Sequence, residues 1–173
     1  SFMVDILAFG AHPDDVELSA GGTLIKQIKN GSTVGIVDLT MGEMGTRGTP
    51  EIRSMEAANA MKIIGANFRE NLKMPDSFID LSKKSIEKVV QAIRTHKPKI
   101  VLCNAVKDRH PEHGIASELV SKACFISGLT KCMGFLVSSL DDRSRTITLF
   151  ATPTWIAAKP MPGAAYIVSI MSS

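Results

Sequence analysis

Near its start the chain reads "AFGAHPDDVE", with a histidine, a proline and two aspartates directly behind an apolar run. A second group, "DRHPEHG", sets an arginine, two histidines and a glutamate just past the apolar run "IVLCN". Histidine nitrogens and carboxylate oxygens suit Zn²⁺, and a catalytic zinc typically takes three protein ligands and keeps one place for water. His12, Asp14, Asp15, His110 and His113 exceed three, which leaves a surplus for catalysis. Zinc lowers the pKa of its water to about 7 and polarises a carbonyl. A carboxylate beside that water can take its proton, and a histidine opposite can stabilise the oxyanion that develops. Each motif alone has a plainer use. "HPDD" could be a turn built from Pro and Asp. "HPEH" could open a helix, with Glu112 near its positive end. Both together, each behind an apolar run, favour chemistry.

The elements that must position these residues can be read from periodicity. "VDILAFGA", "TVGIVDLT" and "KIVLCNA" are continuous apolar runs of strand length, as expected for strands buried on both faces of a parallel sheet. Helical patterns separate them. Ser82 can cap a helix with Ile86, Val89, Val90 and Ile93 on one face, ending near His96. Thr49-Pro50-Glu51 predicts another helix start, with Ile52, Met55 and Ala58 on one side and a stop near Gly65. A third helix runs through "EHGIASELVSKACFISGL" to Gly128. Strands alternating with helices predict an α/β domain, doubly wound, with a mostly parallel sheet and helices on both faces. The whole chain, 1–173, reads as one domain. Ligands of such sheets bind at the carboxyl ends of strands where the strand order reverses. If "ANFRENLKM" holds a weak strand, "IVLCN" is the fourth, and the two motifs face each other across one crevice. "TITLFAT" and "AAYIVSIM" read as late strands, with a Pro-broken loop between them.

Composition sets the class. Hydrophobic residues make up 45% and charged ones 21%, the proportions of a soluble globular protein. The net charge of +3 is scattered, so no nucleic-acid stripe is expected. No stretch reaches the roughly 18 apolar residues of a membrane helix, and the opening lacks a secretory n-region and h-region. Cys103, Cys124 and Cys132 form no C-x-x-C pair, which fits a reducing compartment and a cytoplasmic location. Cys103 and Cys124 read as small core residues. His96 reads as a helix-end cation. Gly21-Gly22 lacks the dinucleotide spacing and reads as close helix–strand packing. "TMGEMGTRGTP" reads as a plain connection or a lid over the crevice. Met41, Met44, Met55 and Met61 read as gap fillers in core and loops.

"GAHPDDVE", "EIRSMEAANAMKIIG" and "DRHPEHGIASELVSKACFISGL" resemble the LmbE-like (PIG-L) family of zinc-dependent N-acetylglucosamine deacetylases. The likeness is greatest to the bacillithiol-pathway branch, which acts on N-acetylglucosaminyl malate, and it covers roughly residues 3–130. It implies a Rossmann-like fold and one zinc per chain. His12, Asp15 and His113 would then be the metal ligands, Asp14 the general base and His110 the electrophilic histidine. Arg53 and Arg109 match the branch's anion-binding positions. The resemblance further implies a small N-acetyl amino sugar as substrate, and a homo-oligomer, a hexamer in this family. From about Lys131 the match gives out, and the tail is expected to be divergent, truncated or incomplete. Two rivals remain: a non-catalytic sugar- or nucleotide-binding domain, for which a spare carboxylate such as Asp14 has no use, and a metal-dependent phosphoesterase, which wants more carboxylates than these motifs hold.

Overall fold

The computed structural model describes residues 3–46 and 48–129, together with the backbone of two later strands at 145–150 and 164–170. Cys132 and the Pro-broken loop between the late strands lie outside the described residues.

The three apolar runs are strands β1 (Ile6–Gly10), β2 (Val34–Thr40) and β4 (Ile100–Asn104). "ANFRENLKM" supplies β3 (Phe68–Met74), and the late strands are β5 (Arg145–Phe150) and β6 (Ala164–Ile170). Between the first four strands and after β4 lie α1 (Asp15–Lys29), α2 (Pro50–Ile64), α3 (Lys83–His96) and α4 (Pro111–Ser127). The sheet order is β3-β2-β1-β4-β6-β5, and every pairing is parallel. The strand order therefore reverses between β1 and β4, which are hydrogen-bonded neighbours (Ile6 beside Ile100, Ala8 beside Leu102).

Successive strand residues point to opposite faces, and both faces are covered. Leu7, Phe9, Val37, Leu39 and Val101 pack against Val89, Val90 and Ile93 of α3 and Leu119 and Val120 of α4. On the other face Ile6, Ala8, Ile36 and Leu102 pack with Val16, Ala20 and Leu24 of α1 and Ile64 of α2. Each such side chain fully buried contributes about 1.5–3 kcal/mol relative to exposure. This gives the predicted doubly wound sheet. Cys103 and Cys124 are buried in the first of these clusters, as expected, and burial pushes the Cys103 thiol up to about 11.

The helix ends divide into two kinds. At α2 the Thr49 hydroxyl accepts from the Ile52 N–H at 3.3 Å, and at α3 the Ser82 hydroxyl accepts from Ser85 N–H at 3.2 Å. The N-cap residues of α1 and α4 are Asp14 and His110, and neither uses its side chain to cap.

Helix α2 starts at Pro50 and stops at Gly65 as predicted; its side with Ile52, Met55 and Ala58 is exposed, and its buried residues are Ala57 and Ile64. Two sequence expectations are corrected. An added Cβ at Gly21 or Gly22 would meet nothing within 4 Å, so close packing does not require these glycines. Met44 and Met55 are exposed rather than filling gaps. Among the described residues, no helix is long and apolar enough to cross a membrane.

Candidate functional site

The turn after β1 is fixed at its backbone. Ala11 N–H donates to Asn104 Oδ1 at 2.9 Å, which ties the end of β1 to the end of β4. The Ala11 carbonyl accepts from Thr40 N–H and from its hydroxyl. The His12 carbonyl accepts from Asp15 N–H, that of Pro13 from Arg69 Nη2 at 2.8 Å, and that of Asp14 from Leu18 N–H. A Cβ at Gly10 would lie 3.0 Å from the His12 carbonyl oxygen, so the turn folds back closely on the strand. Beneath the turn Arg69 forks onto Asp38 (Nε–Oδ2 2.7 Å, Nη2–Oδ1 2.8 Å). It also pairs with Glu17 of α1 and donates to the Ala57 carbonyl of α2. Burial pushes the Asp38 carboxyl up to about 6 against the pull of Arg69.

Asp14 and Asp15 are adjacent and point apart. Asp15 turns inward, where Oδ2 accepts from His12 N–H at 2.9 Å and from Asn104 Nδ2 at 3.0 Å. Its Oδ1 lies 3.2 Å from His113 Nε2, and Oδ2 lies 3.5 Å from His12 Nδ1. The Asp14 side chain is 56% exposed and sits 3.5 Å from Arg53 Nη2.

The second motif meets the first across the crevice. Pro111 opens α4, so His110 and His113 stand one turn apart at its N-terminus. The His110 and His113 rings stack at 4.8 Å, and the His12 ring meets that of His110 edge-on, also at 4.8 Å. One nitrogen from each of the three lies within 4.8 Å of the others. On its far side His12 Nε2 is 2.9 Å from Glu112 Oε2 and 3.2 Å from Asp76 Oδ1. A carboxylate can only accept, so Nε2 carries the hydrogen. Glu112 also accepts from Ile79 N–H, and Asp76 from Met44 N–H. His113 Nδ1 is 2.7 Å from Asp108 Oδ2.

Burial opposes charge on His12, but Asp15, Glu112 and Asp76 outweigh it and bring its pKa up to about 9. His113 is raised in the same way, by Asp15 and Asp108 against burial. Burial pushes the Asp15 carboxyl upward, and its bonds to His113, His12 and Asn104 overcome this and hold it well below the usual carboxylate range. A cation taking these nitrogens would displace their protons.

All seven residues singled out from sequence, His12, Asp14, Asp15, Arg53, Arg109, His110 and His113, line one crevice of about 530 Å³. Arg53 donates to the Gly42 carbonyl at 2.7 Å, and Gly42 (φ 65°) has no room for a Cβ because the guanidinium lies against it. The Gly-rich loop thus borders the crevice through Met44 and Gly45, tied down by Arg53 and Asp76. His96 lies apart from the crevice, buried at the end of α3 and stacked on Phe68 at 4.1 Å, in keeping with a structural role.

Sequence reasoning missed Asp76, Asn104 and Asp108, and saw Glu112 only as a helix-end charge. Asp76 and Asp108 follow strands, Asn104 ends β4 and Glu112 lies inside the second motif, so position at a strand's carboxyl end was the available signal. Its weakness is that single Asp and Asn residues are ordinary loop residues there.

The profile of the family described as PIG-L, GlcNAc-PI de-N-acetylase, matches residues 7–124. The chain is 33% identical over 131 residues to the "uncharacterized deacetylase YaiS" of Escherichia coli, covering 69% of this chain and 67% of that protein. It is 28% identical over 151 residues to diacetylchitobiose deacetylase of Thermococcus kodakarensis, covering 80% and 56%. Among solved structures it is similar to the conserved protein TT1542 of Thermus thermophilus. There the TM-score is 0.77 at 34% identity, covering 98% of this chain and 67% of that one. The chain therefore spans between about half and two thirds of the length of these proteins. With the family profile lying over the strands and helices that carry the crevice, the chain belongs to the PIG-L family.

Proposed function

We propose that the chain is a zinc-dependent deacetylase that hydrolyses the acetamide of an N-acetylglucosamine derivative, with N-acetylglucosaminyl malate as the preferred substrate. The observation that carries this reading is the convergence of three imidazoles, an inward carboxylate and an outward carboxylate in one crevice. Family membership and the deacetylase names of its relatives support the reaction class.

The donor set fits a zinc ion: His12 and His113 approach the two oxygens of Asp15, and neutral imidazole with carboxylate is a common zinc ligand set. His12, Asp15 and His113 would hold it. When bound, zinc supplies Lewis acidity that makes water a nucleophile near neutral pH and polarises an amide carbonyl. The chain's own groups do the rest. Asp14, exposed at the mouth, takes the proton of the attacking water and returns it to the nitrogen as the C–N bond breaks, giving acetate and a free amine. His110, which lines the same crevice, donates to the carbonyl oxygen as it gains charge. Arg53 and Arg109 face the same opening and would bind an anionic aglycone, since a guanidinium fork matches a carboxylate.

The test combines metal analysis with acetate release. One zinc per chain, and faster turnover of N-acetylglucosaminyl malate than of neutral methyl N-acetylglucosaminide, are expected. Arg109→Ala or Arg53→Ala should lose roughly 10- to 150-fold in kcat/KM on the malate substrate, from about 1.5–3 kcal/mol of charge-assisted contact, and little on the neutral one. Two metals per chain with phosphate-ester cleavage, or metal-free binding without turnover, would replace this reading with one of its rivals. Copies of the chain are also inferred to associate: the exposed Ile52 and Met55 on α2 support it, and molar mass in solution tests it.

A further inference from the structure

We propose that Asp108 is a positioning residue for the metal site, fixing the tautomer and swing of His113 while holding His110 in the same turn. The inference rests on the reading of His113 as a metal ligand.

Asp108 sits in the loop between β4 and α4, five residues before His113, where a helical i, i+4 pairing cannot explain the contact. A loop aspartate is ordinarily solvated, yet this side chain is only 4% exposed. Burying a carboxylate is costly unless it is paired and hydrogen-bonded, and both oxygens have such partners. Oδ2 lies 2.7 Å from His113 Nδ1, and Oδ1 accepts from His110 N–H at 3.3 Å. Because a carboxylate accepts, the hydrogen must be on Nδ1. The lone pair of the neutral ring is then on Nε2, the nitrogen that faces Asp15 Oδ1 at 3.2 Å. A metal-binding imidazole needs this arrangement, with one nitrogen tied to an outer carboxylate and the other aimed at the ion. Asp108 adds a second constraint: through the His110 amide, the residue read as the electrophile is positioned by the same carboxylate.

The experiment measures zinc affinity by chelator competition in the wild type, Asp108→Ala, Asp108→Asn and His113→Ala, with melting temperature recorded for each. Asp108→Ala should lose 10- to 100-fold in zinc affinity, the scale for an outer partner of a metal ligand. Asp108→Asn, which keeps an acceptor oxygen and the shape, should recover part of the loss. Ring ¹⁵N spectra of the zinc-loaded protein should show His113 protonated at Nδ1 in the wild type and lose that signature in Asp108→Ala. Zinc affinity within twofold of the wild type in Asp108→Ala, alongside its loss in His113→Ala, would overturn this inference alone. Undiminished affinity in His113→Ala would overturn the ligand reading, and this inference with it.

Discussion

The N-termini of α2 and α3 and those of α1 and α4 are built from the same type of position and used in opposite ways. Thr49 and Ser82 turn their hydroxyls onto the first turn of their helices. Asp14 and His110 leave their first turns uncapped by side chain and border the crevice instead. A side-chain cap stabilises a helix by about 0.5–2 kcal/mol. At α1 and α4 that contribution is forgone, and other devices hold the helix starts. Pro111 presets the first residue of α4, and the turn before α1 is bonded through its carbonyls. The difference separates helix ends whose N-cap side chains are spent on the helix from those whose N-cap side chains are left to the crevice.

Substitutions can break or sharpen this contrast. The largest effect is expected just inside the uncapped ends, where Asp15→Ala or His113→Ala should remove most of the bound zinc and the activity with it. Full metal retention in both, by elemental analysis, would sink the ligand assignment. Next come the uncapped N-caps themselves. His110→Ala should lower kcat by about 10²–10³, the scale for an oxyanion donor. Asp14→Asn should lower it by on the order of 10² or more, as for a lost general base. Both should keep zinc and their melting temperature, because neither side chain caps its helix. A clear drop in melting temperature without a kinetic defect would erase the distinction between the two kinds of end.

A pH series probes the same side of the crevice. Without a metal, Asp15, Glu112 and Asp76 raise the His12 pKa from an ordinary 6.5 to about 9 despite burial, and chelator-treated protein is where this should be read. A raised histidine pKa contributes stability that is complete below 6.5 and is lost as pH rises through about 9. The melting temperature of the chelated protein should therefore fall across that window, and the zinc-loaded protein, in which the metal-bound imidazoles would be neutral, should not follow it. Parallel curves would mean that His12 does not exchange a proton for the metal. The smallest effect belongs to the capped ends. Ser82→Ala should cost about 1 kcal/mol, or roughly 2–4 °C for a chain of this size, and leave kcat/KM unchanged.

Much of this was readable in the chain because it depends on residue type at short range. β1, β2 and β4 are buried on both faces and so are continuous apolar runs, and Thr49, Pro50 and Ser82 mark helix starts by their own chemistry. β3 was only a weak signal because it is an edge strand, and "FRENLKM" is mostly half-buried. The two motifs announced the crevice because each concentrates its donors within a few residues. The outer carboxylates did not, since Asp76 reaches His12 from 64 positions away and Asp108 is one loop aspartate among others. Which side of α2 packs on the sheet was not legible, because periodicity shows that an apolar stripe exists, not which surface covers it.

The guanidinium of Arg69 has a consequence for how the molecule opens. It joins β3 to β2 through Asp38, to α1 through Glu17, to α2 through the Ala57 carbonyl, and to the turn after β1 through the Pro13 carbonyl. None of these pieces can swing away without leaving a buried charge short of a partner, so they should open as one cooperative unit rather than piecemeal. The amides around residues 11–15 would then exchange with solvent as slowly as those of the central strands, although they lie in a connection. In the hierarchy of local unfolding the turn that bears Asp14 and Asp15 belongs with the sheet.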